Sequence, residues 1–314
     1  MNDLIDVLNV DCQVEPDKRN EQKVMSQENR KKVIYIIGVG RSGSTILDIL
    51  LGNGEDILSG GEINRYIVRQ GIPSYWCHIE NSPTFLFWNK IGTHLKDKFP
   101  EGIEFTQLKQ LSKKYEYHTG IFNLGFDKKE WNRYSHFVSS LYETIFENIK
   151  QSTIIDSSKY PYRALKLVNI LPYEIQFIYL KRDPRNVVKS FAKKGIPHVS
   201  KSWLSANLFY LLVNLLCQFV VYRLKKKHQV VEVKYEALIG QPVETLTLIQ
   251  DELQINLEPV IEKVKRDEFL TVGPLFEGNR MRMTDKVKLE TKLSSCPKTI
   301  KNRLTRLINF MVYR

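Results

Sequence analysis

The stretch KKVIYIIGVGRSGSTILDILLGNG, residues 31–54, restricts the possible folds of this chain more than any other. Its apolar run Val33–Ile37 stops at Gly38 and predicts a strand buried on both faces of a parallel sheet. Ile46–Leu51 predicts a helix that ends at Gly52. The glycine-rich loop between them therefore lies at a helix N-terminus, where free backbone N–H groups and the helix dipole attract anions.

Two phosphate-binding patterns overlap in that loop. Gly38, Gly40 and Gly43 form the dinucleotide-binding pattern G-x-G-x-x-G. Gly38 and Gly43, followed by Ser44 and Thr45, also form a P-loop, except that serine occupies the position of the P-loop lysine. The loop thus predicts an anion-binding site, and the rest of the chain must indicate which anion it binds.

Each pattern lacks one of its usual residues. In a kinase or ATPase the lysine contacts the β- and γ-phosphates; Ser44 cannot supply that charge, and Arg41 could do so only from the other side of the loop. A dinucleotide site needs an acid at the end of a second strand, whereas Glu62, 19 residues after Gly43, follows SGG. A P-loop kinase or NTPase remains the alternative enzyme class.

Three more strand patterns follow along the chain: TIID from Thr153, IQFIYL from Ile175 and VVEV from Val230. Helical stretches separate them, at Tyr160–Leu171, Pro184–Lys193 and after Trp203. Strands that alternate with helices predict an α/β fold, here a P-loop-type parallel β-sheet flanked by helices in a single three-layer domain. We place that domain at residues 31–314.

Two segments lie outside this alternation. Residues 1–30 carry seven acids and four bases and lack the apolar core of a signal peptide, so we expect a disordered N-terminal tail. Residues 64–150 show scattered aromatic residues without a clear period, and we interpret them as an insertion that shapes an acceptor pocket. The segment ILSG, residues 57–60, is expected to return beside the first strand.

The net charge of the chain is +12, or about +15 without the acidic tail, which favours an anionic partner such as a nucleotide, nucleic acid, membrane surface or acidic glycan. A nucleic-acid-binding module is the non-enzyme alternative. It needs a basic stripe interleaved with stacking aromatic residues, whereas the sharpest motifs here lie at strand–helix turns, so no nucleic-acid partner is expected.

The four cysteines lie far apart and form no C-x-x-C pair. This spacing argues against a zinc site and a disulfide framework, and it suits a reducing compartment. A Golgi-type transmembrane anchor is not evident in the sequence, so a cytoplasmic enzyme is expected.

A second anion site is predicted in IYLKRDPRNVVKSF. Asp183 can cap a helix that begins at Pro184, which leaves Arg182 at the carboxyl end of the preceding strand. Ser190 lies eight residues after Arg182 on that helix. The simpler alternative is a plain helix start, with Arg182 paired to a carboxylate. Two anion sites on neighbouring strand ends fit a nucleotide with phosphates at both ends of its ribose.

The pair RSGST and KRDPRNVVKS resembles the 5′-phosphosulfate and 3′-phosphate motifs of sulfotransferases that use PAPS (3′-phosphoadenosine 5′-phosphosulfate). The sequence is most similar to the carbohydrate and tyrosylprotein branch and its bacterial relatives. The resemblance implies transfer of a sulfuryl group from PAPS to an acceptor hydroxyl, with a sugar favoured and no metal. It implies that the donor is bound by Arg41, Ser42, Gly43, Ser44, Thr45, Arg182 and Ser190.

Further segments extend the resemblance. SGGEINR is similar to the segment that carries the catalytic base, which implies Glu62, and IDSSK is similar to the segment of a catalytic lysine, which implies Lys159. YEALIGQP resembles the Y-E-D-L segment near the adenine and implies Tyr235, although Ala237 departs from the usual acid. EGNRMRM resembles the segment that completes the nucleotide site, which implies Gly278, Asn279 and Arg282.

His198, in KKGIPHVSKSW, is the competing candidate for the base. The acceptor itself is not encoded in these motifs, so a small molecule or glycan is expected, and a lipid or tyrosine stays open.

Two apolar segments raise the question of membrane contact. Leu204–Tyr222 is interrupted by Ser205, Asn207, Asn214 and Gln218, and we interpret it as a buried helix rather than a membrane-associated one. The C-terminal segment places Ile300, Leu304, Leu307, Ile308 and Met311 on one helical face. It predicts a helix packed on the sheet or, alternatively, a basic amphipathic element that rests on anionic lipid or recruits an acidic acceptor.

Overall fold

The computed structural model describes residues 31–73, 82–118, 125, 127–192, 201–293 and 296–313. Its centre is a parallel sheet of five strands in the order β2-β3-β1-β4-β5. The strands are β1 (Lys32–Gly38), β2 (Ile57–Ser59), β3 (Thr153–Lys159), β4 (Glu174–Lys181) and β5 (Val230–Lys234). A separate antiparallel pair is formed by β6 (Leu270–Thr271) and β7 (Lys286–Val287). The predicted α/β fold is confirmed.

Helices cover both faces of the sheet. One face packs against α2 (Arg65–Val68), α3 (Pro83–Asp97), α4 (Phe105–Tyr115), α5 (Lys128–Glu147), α6 (Pro161–Ile170), α7 (Pro184–Phe191) and α8 (Trp203–Leu224). The other packs against α1 (Ser44–Leu51), α9 (Tyr235–Gly240), α10 (Pro242–Leu253) and α11 (Glu258–Lys265). The helix α12 (Ile300–Ile308) lies near the C-terminus. Alternate residues of β1 enter the two cores, with Tyr35 on one side and Ile36 on the other.

The predicted position of ILSG beside the first strand is wrong. β2 pairs with β3, because the two edges of β1 are already taken by β3 and β4. A three-residue strand is well suited to the edge of a sheet, where a long strand would expose unpaired backbone groups. The carboxyl end of β2 still reaches the same edge of the sheet as the ends of β1 and β3.

Residues 64–150 are more regular than predicted, since α2 to α5 occupy much of the described part of this segment. Several of its aromatic residues belong to the core. Trp88 is fully buried, packs edge-on against Phe276 and donates its indole N–H to the Pro274 carbonyl at 2.5 Å. Tyr75 and Trp76 lie outside the described residues.

The helix α8 is only half buried. Its inner face is anchored by a hydrogen bond from the Tyr179 hydroxyl to the Asn214 Oδ1 at 3.1 Å, while Leu204, Leu208 and Leu212 on the outer face are exposed. It is the one helix of the described residues that is long and apolar enough to cross a membrane. The expectation of a buried helix therefore holds for one face only.

The prediction that the C-terminal helix packs on the sheet is wrong. The helix α12 contacts α7 and α8, and Thr305 is its one buried residue. The Trp203 indole N–H donates to the Thr305 hydroxyl at 3.0 Å, so the polar side of α12 faces the protein. The predicted apolar face is exposed instead, and Leu307 retains 73% of its accessible surface.

Candidate active site

The predicted anion-binding loop, residues 39–43, joins β1 to α1. The helix begins at Ser44, two residues earlier than predicted, and its N-cap is Gly43 with φ of 99°. A side chain at Gly43 would lie 2.3 Å from the Tyr235 ring, so glycine is required both for the backbone conformation and for this close approach. No side chain caps the helix, so the N–H groups of its first turn remain for a ligand.

Two arginines converge beside this loop. The Arg182 guanidinium carbon lies 4.0 Å from the centroid of the Tyr235 ring, and its Nη1 donates to the Arg41 carbonyl at 3.0 Å. The Arg41 Nε donates to the Ser190 hydroxyl at 2.9 Å. The fold thus brings together, at the ends of β1 and β4, four residues that come from separate sequence motifs: Arg41, Arg182, Ser190 and Tyr235.

The electrostatics of this cluster favour an anion. Burial lowers the pKa of Arg41, and the neighbouring charge of Arg182 lowers it further, while Glu62 acts in the opposite direction. The Arg182 Nε and the Ser42 hydroxyl are buried without a hydrogen-bond partner among the described residues. Unpaired buried donors are costly, so these groups are suited to a ligand that accepts hydrogen bonds.

The helix start that follows Arg182 is confirmed. The Asp183 carboxylate accepts the Arg185 N–H at 2.8 Å, and Pro184 is the first helical residue of α7. In the described structure Arg182 itself contacts Tyr235 and the Arg41 carbonyl rather than a carboxylate. The alternative interpretation of a plain helix start is therefore incomplete.

An ion pair lies at the ends of β2 and β3. The Lys159 Nζ is 2.5 Å from the Glu62 Oε1 and also donates to the Ser157 carbonyl at 3.1 Å. Both side chains remain partly exposed, at 14% for Lys159 and 23% for Glu62. A carboxylate and an ammonium group therefore face solvent together beside the anion-binding loop.

An irregularity in β3 positions the lysine. Tyr35 pairs with Asp156 but Ile37 pairs with Lys159, so β3 contains one residue more than β1 over this stretch. Lys159 has φ of 75°, which is uncommon for a residue other than glycine. Bulges of this kind redirect a side chain at the end of a strand, and they are frequent beside active sites.

The position of Glu62 is fixed by its neighbour Gly61. The Gly61 N–H donates to the Asp48 carboxylate at 3.1 Å, and its carbonyl accepts the Ser157 N–H at 2.9 Å. Gly61 has φ of 71°, and a side chain there would lie 2.7 Å from the Glu277 carbonyl. The Glu62 N–H donates to that same carbonyl at 3.1 Å. The backbone on both sides of the carboxylate is therefore held by α1, β3 and the Glu277 segment.

The segment after Phe276 closes over the loop. The Asn279 N–H donates to the Thr45 hydroxyl at 3.0 Å, and Gly278 approaches the same hydroxyl closely. Arg282 is buried, with its Nη2 3.2 Å from the Glu277 carboxylate. The structure thus places Gly278 and Asn279 at the loop and binds Arg282 to Glu277, next to the backbone of Glu62.

Asp48 is a site-positioning residue that the sequence analysis missed. It is an isolated acid in the apolar helix STILDILL, and it is fully buried beneath the Glu62 loop. Burial raises its pKa to about 7, although hydrogen bonds from Ser157 and Ser59 act against the shift. A single carboxylate within an apolar run was the available sequence signal, since such a group needs a specific partner.

The Asp48→Asn variant tests this assignment through the pH dependence of stability. An acid with a raised pKa in the folded state stabilises that state below its unfolded pKa of about 4, and this contribution is lost as the pH rises towards 7. One proton corresponds to a slope of about 1.4 kcal/mol per pH unit. We expect a shallower loss of unfolding free energy between pH 5 and 7 for the variant, measured by denaturant titration.

The difference between the wild type and Asp48→Asn isolates the contribution of Asp48 to the pH dependence of stability. Burial also raises the pKa of Asp156, to about 6, but this group is the same in both proteins. Parallel curves for wild type and variant would show that Asp48 is ionised in the folded protein.

An aromatic cluster adjoins the ion pair. Tyr160, directly after Lys159, packs against Tyr117 and His118, with ring centroids 4.9 and 5.0 Å apart. His118 also meets Phe209 edge-on, and burial lowers its pKa to about 4. His118 was missed by the sequence analysis, while the competing base His198 lies outside the described residues.

Comparisons with known proteins agree with this architecture. Residues 33–259, more than half of the chain, match the model of the sulfotransferase family. The sulfotransferase domain from the curacin biosynthetic pathway is similar in structure, with a TM-score of 0.51 and 16% identity over 89% of this chain and 97% of that domain. For the sulfotransferase domain of the Synechococcus PCC 7002 olefin synthase the TM-score is 0.48 and the sequence identity is 15%, over 92% of this chain and 98% of that domain.

Sulfotransferase STF1 from Mycobacterium tuberculosis H37Rv has a TM-score of 0.44 and 13% identity over 74% of this chain and 70% of that one. Curated protein sequences gave no match. The family match spans the anion-binding loop, Glu62, Lys159 and the Arg182 motif in one continuous region, and the chain belongs to the sulfotransferase family.

Proposed function

We propose that this protein transfers a sulfuryl group from PAPS to an acceptor hydroxyl, in the manner of the carbohydrate and tyrosylprotein branch. The observation that carries the proposal is the juxtaposition of two clusters along one edge of the sheet. Arg41 and Arg182 flank an uncapped helix N-terminus, and the Glu62–Lys159 pair lies at the neighbouring strand ends. The first cluster suits a bisphosphorylated nucleotide, and the second suits proton transfer.

The described residues fit such a donor. Arg182 and Ser190 would bind its 3′-phosphate, and Arg41 with the N–H groups and hydroxyls of residues 42–45 would bind the 5′ end. The Tyr235 ring, held against Gly43 and Arg182, would support the adenine. Gly278 and Asn279 would complete the site, and Arg282 would hold that segment through Glu277.

The reaction needs a base and a cation. As the acceptor oxygen bonds to sulfur, its proton passes to the Glu62 carboxylate, and the bond between sulfur and the bridging oxygen of the donor breaks. Negative charge then grows on that bridging oxygen, and Lys159 stabilises it more in the transition state than in the ground state. The short contact between Glu62 and Lys159 holds the two side chains in place before substrates bind.

The missing P-loop lysine is consistent with this chemistry. The donor has no β–γ phosphate bridge, so the position that Ser44 occupies needs no strong positive charge. The 5′ end can be bound by backbone N–H groups, hydroxyls and Arg41.

The aromatic cluster supports the proposal that the acceptor is a sugar. Tyr117, His118 and Tyr160 lie next to Lys159, and aromatic faces pack well against flat apolar surfaces. Tyr117 and His118 belong to the 64–150 segment, which we propose contributes to the acceptor pocket. The rest of the chain from residue 31 would then form the donor site and scaffold of one domain.

The Arg182→Ala variant should mainly weaken donor binding. A 3′-phosphate contact is similar in ground and transition states, and a lost charge-assisted hydrogen bond costs about 1.5–3 kcal/mol, or about ten- to a hundredfold in affinity. Lys181→Ala is the matched control, because Lys181 is adjacent in sequence but pairs with Glu232 at 2.7 Å. Unchanged affinity for adenosine 3′,5′-bisphosphate in Arg182→Ala would show that the 3′-phosphate binds elsewhere.

The proposed activity is tested by incubating the protein with PAPS that carries labelled sulfate and a panel of sugars, phenols and lipid alcohols. We expect label to enter an acceptor of the sugar class, with one bisphosphate released for each ester formed and without added magnesium. If only phenols were labelled, the acceptor would be an aryl alcohol rather than a sugar. Transfer of phosphate from ATP to the same panel, with none from PAPS, would reject the proposed function.

A further inference from the structure

The exposed apolar residues of this protein are concentrated on α8 and α12. On α8 they recur at helical spacing from Leu204 to Tyr222, and on α12 and the following turn from Ile300 to Met311. The most exposed are Ile300 at 77%, with Leu307 and Met311 at 73% each. Apolar surface on this scale is unusual for a protein surface that contacts only water.

The two helices run side by side in the same direction. The Trp203 indole contacts the Thr305 hydroxyl at 3.0 Å. Four residues later in each segment, the side chain of Asn309, which directly follows the last residue of α12, donates to the Asn207 Oδ1 at 2.9 Å. The two contact positions are four residues apart in each segment, and the higher residue number on one side contacts the higher residue number on the other. The helices are therefore parallel over this stretch.

The exposed residues of the two helices lie on the same side of the pair. Successive residues of a helix are rotated by about 100°. On α8, Leu204 and Leu208 directly follow the contact positions, and on α12, Leu304 and Ile308 directly precede them. In parallel helices these two sets turn towards the same face, so they form one continuous apolar surface. We name it the α8–α12 surface.

Basic residues border this surface. Residues 201–228 and 296–313 contain no aspartate or glutamate. The exposed bases are Arg223, Lys225, Lys226 and Lys227 at the end of α8 and Lys298, Lys301, Arg303 and Arg306 on or before α12. Lys225 pairs with Glu232 at 2.7 Å, so the border is predominantly cationic. An apolar surface with such a border is complementary to a bilayer that contains anionic lipids.

We propose that the α8–α12 surface binds the protein peripherally to anionic membranes. A second copy of this chain is a poorer occupant, because a symmetric interface would bring two cationic borders together. Insertion of α8 across the bilayer would break the Tyr179–Asn214 hydrogen bond and expose the core that its inner face covers. The helix thus stays in the fold and contributes only its outer face.

Sedimentation with vesicles tests this proposal on the full chain. The protein should bind vesicles of equal parts phosphatidylcholine and phosphatidylglycerol, should bind phosphatidylcholine alone at least about tenfold more weakly, and should be released by salt. Leu208→Glu and Leu307→Glu, one on each helix, should each weaken binding by about tenfold or more. Leu248→Glu is the matched control, since Leu248 is 47% exposed on α10, on the opposite side of the sheet.

Several outcomes would overturn the proposal. These are absence of binding to both kinds of vesicle, equal loss of binding in Leu248→Glu, or full binding by Leu208→Glu and Leu307→Glu. A dimer in light scattering that dissociates in Leu307→Glu would instead make the surface an interface between copies. Thermal unfolding of each variant, followed by circular dichroism, shows whether a loss of binding is a loss of fold.

Discussion

The Glu62→Gln variant is expected to transfer the sulfuryl group about 10²–10⁴-fold more slowly than the wild type, with affinity for adenosine 3′,5′-bisphosphate changed less than about threefold. Glutamine keeps the shape and the hydrogen-bonding oxygen that meets Lys159, but it cannot accept the acceptor proton at neutral pH. The backbone of residue 62 is fixed by Gly61 and Glu277, so the substitution should leave the geometry unchanged. Single-turnover rates and calorimetry measure the two quantities.

Glu55→Gln is the matched control, because Glu55 is an exposed carboxylate on the preceding loop, bonded to Asn256. It should transfer at the wild-type rate. A near-normal rate in Glu62→Gln would reject Glu62 as the base. Substitution of His118, which lies beside Tyr160, and of His198 would then identify the alternative.

The Lys159→Met variant is expected to lose about 10²–10³ in rate, which is the usual effect of removing one group that stabilises developing charge. Methionine retains most of the length of the lysine side chain but has no charge for the bridging oxygen. The loss should appear in kcat more than in the affinity for the bisphosphate, because the charge it balances develops during transfer.

A double variant separates two roles for Lys159. If the lysine acts only by holding Glu62 through their 2.5 Å contact, its removal should cost little once Glu62 is already glutamine. If it stabilises the leaving oxygen, Glu62→Gln/Lys159→Met should be slower than Glu62→Gln by at least about tenfold. We expect the second result, and equal rates for these two variants would contradict it.

The strands and the glycine-rich loop after the first of them could be predicted because their signals are local. Val33–Ile37 and Ile175–Leu180 are short, mostly apolar runs that stop at Gly38 and at Lys181, and a helix signal follows each of them. Parallel strands present their carboxyl ends at one edge, so the two motifs were expected to meet. The contact from Arg41 to Ser190 bears this out across 149 positions of sequence.

The errors arose where tertiary partners decide the outcome. The pattern of β2 indicates a strand but not its neighbour, which depends on the edges that longer strands leave free. Periodicity in α12 identified an apolar face correctly, yet it could not show that Thr305 and Asn309 would bind α8 and turn that face outward. The bulge that orients Lys159 likewise depends on pairing between β1 and β3, which no local pattern encodes.

The most direct test of the central claim is the nucleotide specificity, because its measurement needs no acceptor. Adenosine 3′,5′-bisphosphate and ATP are titrated into the wild-type protein by calorimetry, each with and without magnesium. The two cations at the loop and the absence of a P-loop lysine predict saturable binding of the bisphosphate without magnesium and weak binding of ATP under both conditions. Tight magnesium-dependent binding of ATP, with no heat from the bisphosphate, would contradict the account and favour a kinase.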